Sequence, residues 1–268
     1  MRLISLCPSN TELLAYLDLI PALVGVDDHS SWPKEIHSLK KVGPDLAINI
    51  ETVKTLKPDL VLASLSVPGM EKNIEQLQKE NIPHLILNPQ SLSDIANDLY
   101  TVGTYTNKEK EALQIIEQYD SFIQYYKELS KTIKTKRSVY FEWWPKPVFT
   151  PGGSNWLTEM CELAGANNIF ATENLPSVQT NFEEVMKRNP EVMFMAWVGV
   201  AEEKMNIQHF LKREGSDNIT AVQENELYTL EESLYCRPSP RLLLGLKKLA
   251  ALLHPSVFPK DDGIDPLR

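Results

Sequence analysis

The sequence predicts an α/β protein of two similar lobes joined by one long helix, and three observations predict it. Short apolar runs alternate with helical stretches along most of the 268 residues. Such alternation gives a mostly parallel sheet with helices on its faces. A segment near residue 50, IETVKTLKPDLVLAS, returns near residue 182 as FEEVMKRNPEVMFMA. Between the copies lies a stretch of 25 residues without Gly or Pro.

The repeat is specific in detail. Glu51 and Glu183 each stand two residues before a valine (Val53, Val185) and seven before a proline (Pro58, Pro190). An acid (Asp59, Glu191) and a strand-like run follow. From residue 51 to residue 183 the spacing is 132, about half the chain. Solenoid and propeller repeats run about 20–50 residues, so two lobes are the expected unit.

In chain order, RLISLC is a strand and PSNTELLAYLDLI a helix capped by Ser9 or Asn10. ALVGVDD, DLVLASL and HLILN are further strands. Met70, Ile74 and Leu77 mark a helix between the last two by their spacing. Residues 107–131 carry apolar side chains mostly at three- and four-residue steps, predicting one helix of roughly 37 Å at 1.5 Å per residue. In the second half SVYFEWW, VMFMAW and LYTL are strands. NWLTEMCELAG is a helix closed by Gly165, and SPRLLLGLKKLAALLHP a final helix. The tail KDDGIDPLR is expected to fray. The domain expectation is a lobe at 1–106, a connecting helix at 107–131 and a lobe at 132–268.

Composition narrows the function classes. Net charge is −9 with a pI near 5.2 and no basic stripe, which argues against nucleic acid. Cys7, Cys161 and Cys236 form no CxxC pair, so no disulfide framework is expected. No leader-like or membrane-length apolar segment occurs. As given, the chain is expected to be cytoplasmic, or extracytoplasmic if a leader has been removed. No GxGxxG after the first strand, GxxxxGK[ST], HExxH or GxSxG is present, and no histidine pair has metal-ligand spacing. No catalytic residue, metal site or intrinsic cofactor is therefore expected.

Ligands of open α/β sheets bind outside the carboxyl ends of the strands. Those ends hold Trp32, Trp143, Trp144 and Trp197. They either line a cleft for a flat, partly apolar ligand or seal an interface between lobes. His29 reads as a polar lining residue, Asp27-Asp28 as a turn or cap, and PGGSN as a turn leading Trp156 into its helix. Glu51 and Glu183 each start a helix, where the macrodipole favours an acid by about 0.3–1 kcal/mol. One per lobe, they also suit a two-fold symmetric partner with basic groups.

SLCPSNTELLAYLDLIPALVGV, INIETVKTLKPDLVLAS, PVFTPGGSNWLTEMCELAGANNIF and EEVMKRNPEVMF together resemble the cobalamin- and siderophore-binding class of ABC-importer substrate-binding proteins, over about residues 2–252. The resemblance implies two Rossmann-like lobes bridged by one long helix, the class III periplasmic-binding-protein fold, with a ligand held between them. It implies docking of Glu51 and Glu183 onto a dimeric permease. It implies a pocket of His29, Trp32, Asp45, Ser64, Phe149, Ser177, Ser233 and Arg237, to which the residue reading adds Trp143 and Trp144. Cobalamin binders carry aromatics at the places of Asp45, Ser64 and Ser177, and an acid at that of Ser233. The expected ligand is a corrinoid such as cobalamin, the expected protein a non-catalytic monomer. A ferric siderophore or haem is the alternative ligand. The alternative roles are a cytoplasmic sensor, or a cofactor-processing enzyme using a cysteine.

Overall fold

The computed structural model describes residues 1–268. The chain divides into two units. The first holds Met1–Tyr119 with Pro238–Pro240 and Leu267; the second holds Asp120–Arg237, Arg241–Pro266 and Arg268.

The first unit alternates strands and helices. In order come β1 (Leu3–Ser5), α1 (Pro8–Tyr16), β2 (Leu23–Val26), β3 (Lys40–Lys41), α2 (Ile50–Thr55), β4 (Leu60–Ser64), α3 (Glu71–Lys79), β5 (His84–Leu87) and α4 (Leu92–Tyr105). The sheet runs β3-β2-β1-β4-β5, all parallel. β1 and β4 are buried along their whole length, which explains their unbroken apolar sequence. Ile4, Leu6, Val42, Val53, Val61 and Leu77 form much of the core beside them. Ser91 caps α4 by accepting from the Asp94 N–H, and Asp94 accepts in return from the Ser91 N–H, each at 3.0 Å.

The unit boundary falls inside α5 (Glu109–Ser130), a helix of 22 residues. At 1.5 Å per residue it is about 33 Å long.

The second unit contains β6 (Arg137–Glu142), β7 (Trp144–Pro145), β8 (Val148–Pro151), α6 (Trp156–Leu163), β9 (Ala166–Asn168), β10 (Ser177–Thr180), α7 (Phe182–Arg188), β11 (Val192–Met195), α8 (Gln208–Leu211), α9 (Thr220–Gln223), β12 (Leu227–Thr229) and α10 (Leu242–Leu253). Its main sheet, β12-β11-β6-β9, is parallel. A small antiparallel sheet, β10-β8-β7, accompanies it.

Strand by strand the two parallel sheets correspond. β1 matches β6, β4 matches β11, β5 matches β12 and β2 matches β9; β3 has no counterpart. α2 and α7 precede the matching β4 and β11. Their likeness reaches single atoms. Asn49 caps α2 by accepting from the Thr52 N–H, and Asn181 caps α7 by accepting from the Glu184 N–H, each at 2.9 Å. Val53 and Val185 are wholly buried, worth about 1.5–3 kcal/mol each. Each turn then passes through a left-handed residue, Lys57 (φ 46°) or Asn189 (φ 43°). Asp59 accepts from the Arg2 N–H and Glu191 from the Ser138 N–H, both at 2.6 Å. Those acids hold the entry to the central strand of their own sheet.

Three expectations are corrected. Helix α1 begins at Pro8 with Cys7 at its cap, so Ser9 and Asn10 lie inside its first turn and neither caps it. SVYFEWW is not one strand: β6 ends at Glu142, and Trp144 enters the antiparallel sheet opposite Phe149. The tail is not frayed. The Lys247 ammonium on α10 donates to Asp262 and, at 2.7 Å, to the Ile264 carbonyl.

Candidate functional site

The loops at the carboxyl ends of the parallel strands carry most of the expected site residues. In the first unit, Asp27 directly follows β2 and is wholly buried. Its Oδ2 accepts from the backbone N–H groups of His29 (2.7 Å) and Ser30 (2.9 Å), and the Ser30 hydroxyl donates to Oδ1. Thr11 Oγ1 lies 2.7 Å from both the Ser5 and the Ser30 hydroxyls. Lys41 donates to the carbonyls of Asp27 and Ser30, both at 2.9 Å. Burial raises the Asp27 pKa, and the bonds from Ser30 and His29 oppose that shift. Asp27 is thus the cap of its own turn, while Asp28 is exposed.

This turn presents His29, whose Nε2 lies 3.7 Å from Asp45 Oδ1. Asn73 fixes the Asp45 loop by donating to the Asp45 carbonyl at 2.5 Å. Trp32 packs on Tyr16 with ring centroids 5.7 Å apart. Ser64, the last residue of β4, is buried and donates to Ser66 at 2.9 Å. The structure therefore brings His29 to Asp45, while Ser64 turns into its own loop.

In the second unit the aromatic residues converge around one buried acid. Glu142 ends β6 and is wholly buried. Arg213 forks onto it with bonds of 2.6 and 2.8 Å. The Tyr140 hydroxyl donates at 3.0 Å and the Trp197 indole at 3.2 Å. Its four donors meet the satisfaction a buried carboxylate needs. Trp197 packs against Trp144 (6.4 Å) and His209 (5.1 Å). Trp144 stays 42% exposed. Trp143 faces Trp156 at 6.1 Å, and its indole nitrogen is buried without a partner.

The remaining expected residues are dispersed within this unit. Phe149 lies opposite Trp144 on β8, and the exposed Ser177 opens β10 opposite Pro151. Ser233 donates to Glu231 at 2.6 Å, and Arg237 to Glu232 at 2.9 Å. Arg237 is therefore already engaged with an acid of its own loop. Glu142, Arg213 and His209 escaped the sequence reading. An acid closing the apolar run SVYFE was the available signal for Glu142.

Glu51 and Glu183 are exposed on the first turns of α2 and α7. Glu51 is 74% exposed and shares Lys54 (3.2 Å) with Glu80.

The cysteine-based reading requires accessible thiolates. Burial instead pushes the Cys7 thiol up to about 12 and raises those of Cys161 and Cys236. Cys236 Sγ also donates to the Ala196 carbonyl at 3.2 Å. No group of three or more His, Cys, Asp or Glu stands where it could hold a metal ion, and no helix is long and apolar enough to cross a membrane.

Two α/β units of one strand order, with aromatic and polar loops at their strand ends, define the class III substrate-binding fold of ABC importers. The chain belongs to the periplasmic binding protein family, whose model matches residues 3–234. It is 33% identical over 262 residues to the ABC transporter substrate-binding lipoprotein YvrC of Bacillus subtilis, covering 96% of this chain and 81% of that protein. It is 30% identical over 248 residues to a vitamin B12-binding protein of Yersinia pestis, covering 92% and 84%. The crystal structure of a possible iron-binding, periplasmic solute-binding protein of Staphylococcus epidermidis matches with TM-score 0.77 and 28% identity, covering 93% and 96%. The chain is thus a substrate-binding component of an ABC importer, and its cargo is a ligand rather than a resident cofactor.

Proposed function

We propose that the protein binds a corrinoid without chemical change and delivers it to an ABC permease. The observation that carries this reading is the aromatic group at the end of β6. An exposed Trp144 rests on Trp197, which is itself held by a buried acid. A broad, flat chelate with an apolar face matches such a surface, and tryptophan supplies contact area at small entropic cost. In the same unit, the loop of Ser233 and Arg237 offers polar groups for amide or carboxylate edges. The vitamin B12-binding relative supports the ligand class.

A role in import puts the working protein outside the cytoplasmic membrane, in keeping with the lipoprotein relative. A cytoplasmic location is accordingly not part of this reading. Glu51 and Glu183 would meet basic groups of a two-fold permease. Their place on the exposed first turns of corresponding helices supports that role.

Titration with cyanocobalamin and cobinamide, read by tryptophan quenching and calorimetry, tests the ligand. One-to-one binding of either at micromolar affinity or tighter is expected. Binding of haem or a ferric hydroxamate with neither corrinoid bound would transfer the reading to iron chelates, which the Staphylococcus structure favours.

A further inference from the structure

We infer that Glu142 is a positioning residue for ligand binding: its buried carboxylate holds the Trp197–Arg213 segment so that Trp197 supports the exposed Trp144. This rests on the corrinoid reading of the same aromatic surface.

The segment after β11 runs from Trp197 to Arg213 before β12 begins, and it contains only short helical pieces, among them α8. Both of its ends return to one side chain. At the start the Trp197 indole donates to Glu142 Oε1 at 3.2 Å, and at the far end Arg213 donates to both carboxylate oxygens. The backbone adds a third tie, since the Ala196 N–H donates to the Glu142 carbonyl at 3.0 Å. Arg213 is fixed in turn by the rings of Phe182 (4.7 Å) and Phe210 (5.4 Å).

A merely structural ion pair would need only the arginine. Here the same oxygen that receives one arm of the guanidinium also receives the indole N–H. An indole has one donor, so this bond sets the ring's orientation as well as its place. Trp197 is the ring on which Trp144 and His209 both lie. Releasing the indole lets that surface adopt several arrangements, and affinity falls with the loss of preorganisation.

The test uses the full chain labelled with 5-fluorotryptophan, with Glu142→Gln and the double variant Glu142→Gln/Arg213→Met. The double variant removes the buried carboxylate together with its part-buried guanidinium partner, a change that folded proteins often tolerate, and covers failure of the single variant to fold. The ¹⁹F resonances are assigned by Trp197→Phe, Trp144→Phe and Trp156→Phe. In a variant that melts cooperatively, the Trp197 and Trp144 resonances are expected to shift or broaden while that of Trp156 stays. The dissociation constant for cyanocobalamin is expected to rise about tenfold. Unmoved resonances would overturn the inference. So would moved resonances with unchanged cyanocobalamin affinity, which would leave Glu142 a stabilising residue only. If the parent protein binds neither cyanocobalamin nor cobinamide, the corrinoid reading has failed. The resonances together with haem affinity then decide the role of Glu142.

Discussion

Asp98 lies one helical turn beyond Asp94 on α4, and both the desolvation of its site and the neighbouring carboxylate raise its pKa to about 7. Its unfolded value is about 3.9. The folded protein therefore binds the proton more tightly than the unfolded chain, and ionised Asp98 costs stability above pH 7. That cost is relieved as pH falls from 7 towards 4. The full shift corresponds to about 4 kcal/mol, and partial solvent access reduces it to about 2 kcal/mol. Asp98→Asn should raise stability by that amount at pH 8 and by almost nothing at pH 4. Urea unfolding at the two pH values measures this; an equal gain at both would mean that the effect is not ionisation. Asp94 has another task, since its carboxylate accepts from the N–H groups of Gln90 and Ser91 at the helix start. Two similar acids four residues apart thus act in opposite directions, and the sequence alone did not separate them.

At the scale of elements, α2 and α7 show what was legible and what was not. The spacing of glutamate, valine, proline and acid marked both helices and the strands after them, because each residue type has a local reason to be there. The caps extend the repeat by two residues, as Asn49 and Asn181 stand at the same place in each copy. Asn49→Ala and Asn181→Ala should each cost about 1 kcal/mol, read from the thermal midpoint. Lys57→Gly should instead stabilise by about 0.5–1 kcal/mol, because a side chain is strained at its left-handed φ of 46°. A loss on that change would show that the Lys57 side chain itself is needed. The antiparallel β10-β8-β7 sheet was not legible. β10 (SVQT) is largely exposed, so it carries no apolar run, and the prolines around β7 hide the break after Glu142. The PGGSN turn was recognised as a turn, but not for the tight packing of its glycines. A Cβ on Gly153 would stand 2.4 Å from the Ala171 carbonyl oxygen, and one on Gly152 2.2 Å from that of Leu175. The candidate residues divide in the same way. His29 and Trp144 were singled out because they lie at strand ends, whereas Glu142 and Arg213 meet only through a contact 71 residues apart in sequence.

For the whole molecule, the proposed docking role of Glu51 and Glu183 rests on the correspondence between the two units. Each acid is the second residue of a helix with an asparagine cap, a buried valine two places on and a left-handed exit. The helix dipole accounts for about 0.3–1 kcal/mol at each, so neither glutamate is needed for the fold. Both are exposed, and Glu51 has only a surface pairing with Lys54, worth little in water. Replacing both with alanine should leave the melting temperature within a few degrees and the ligand dissociation constant within about twofold. Docking is a different matter. Where an acid meets an arginine in a desolvated contact, loss of one partner costs about 2–5 kcal/mol. The double variant should therefore abolish stimulation of the permease's ATPase in proteoliposomes at protein concentrations that saturate the parent. Each single variant should retain part of it at higher concentration. Because ions screen the approach of opposite charges before the contact closes, stimulation by the parent should also weaken with added salt. Full stimulation by the double variant would remove the glutamates from the docking surface, and a matching fall in ligand affinity would place them in the binding machinery instead.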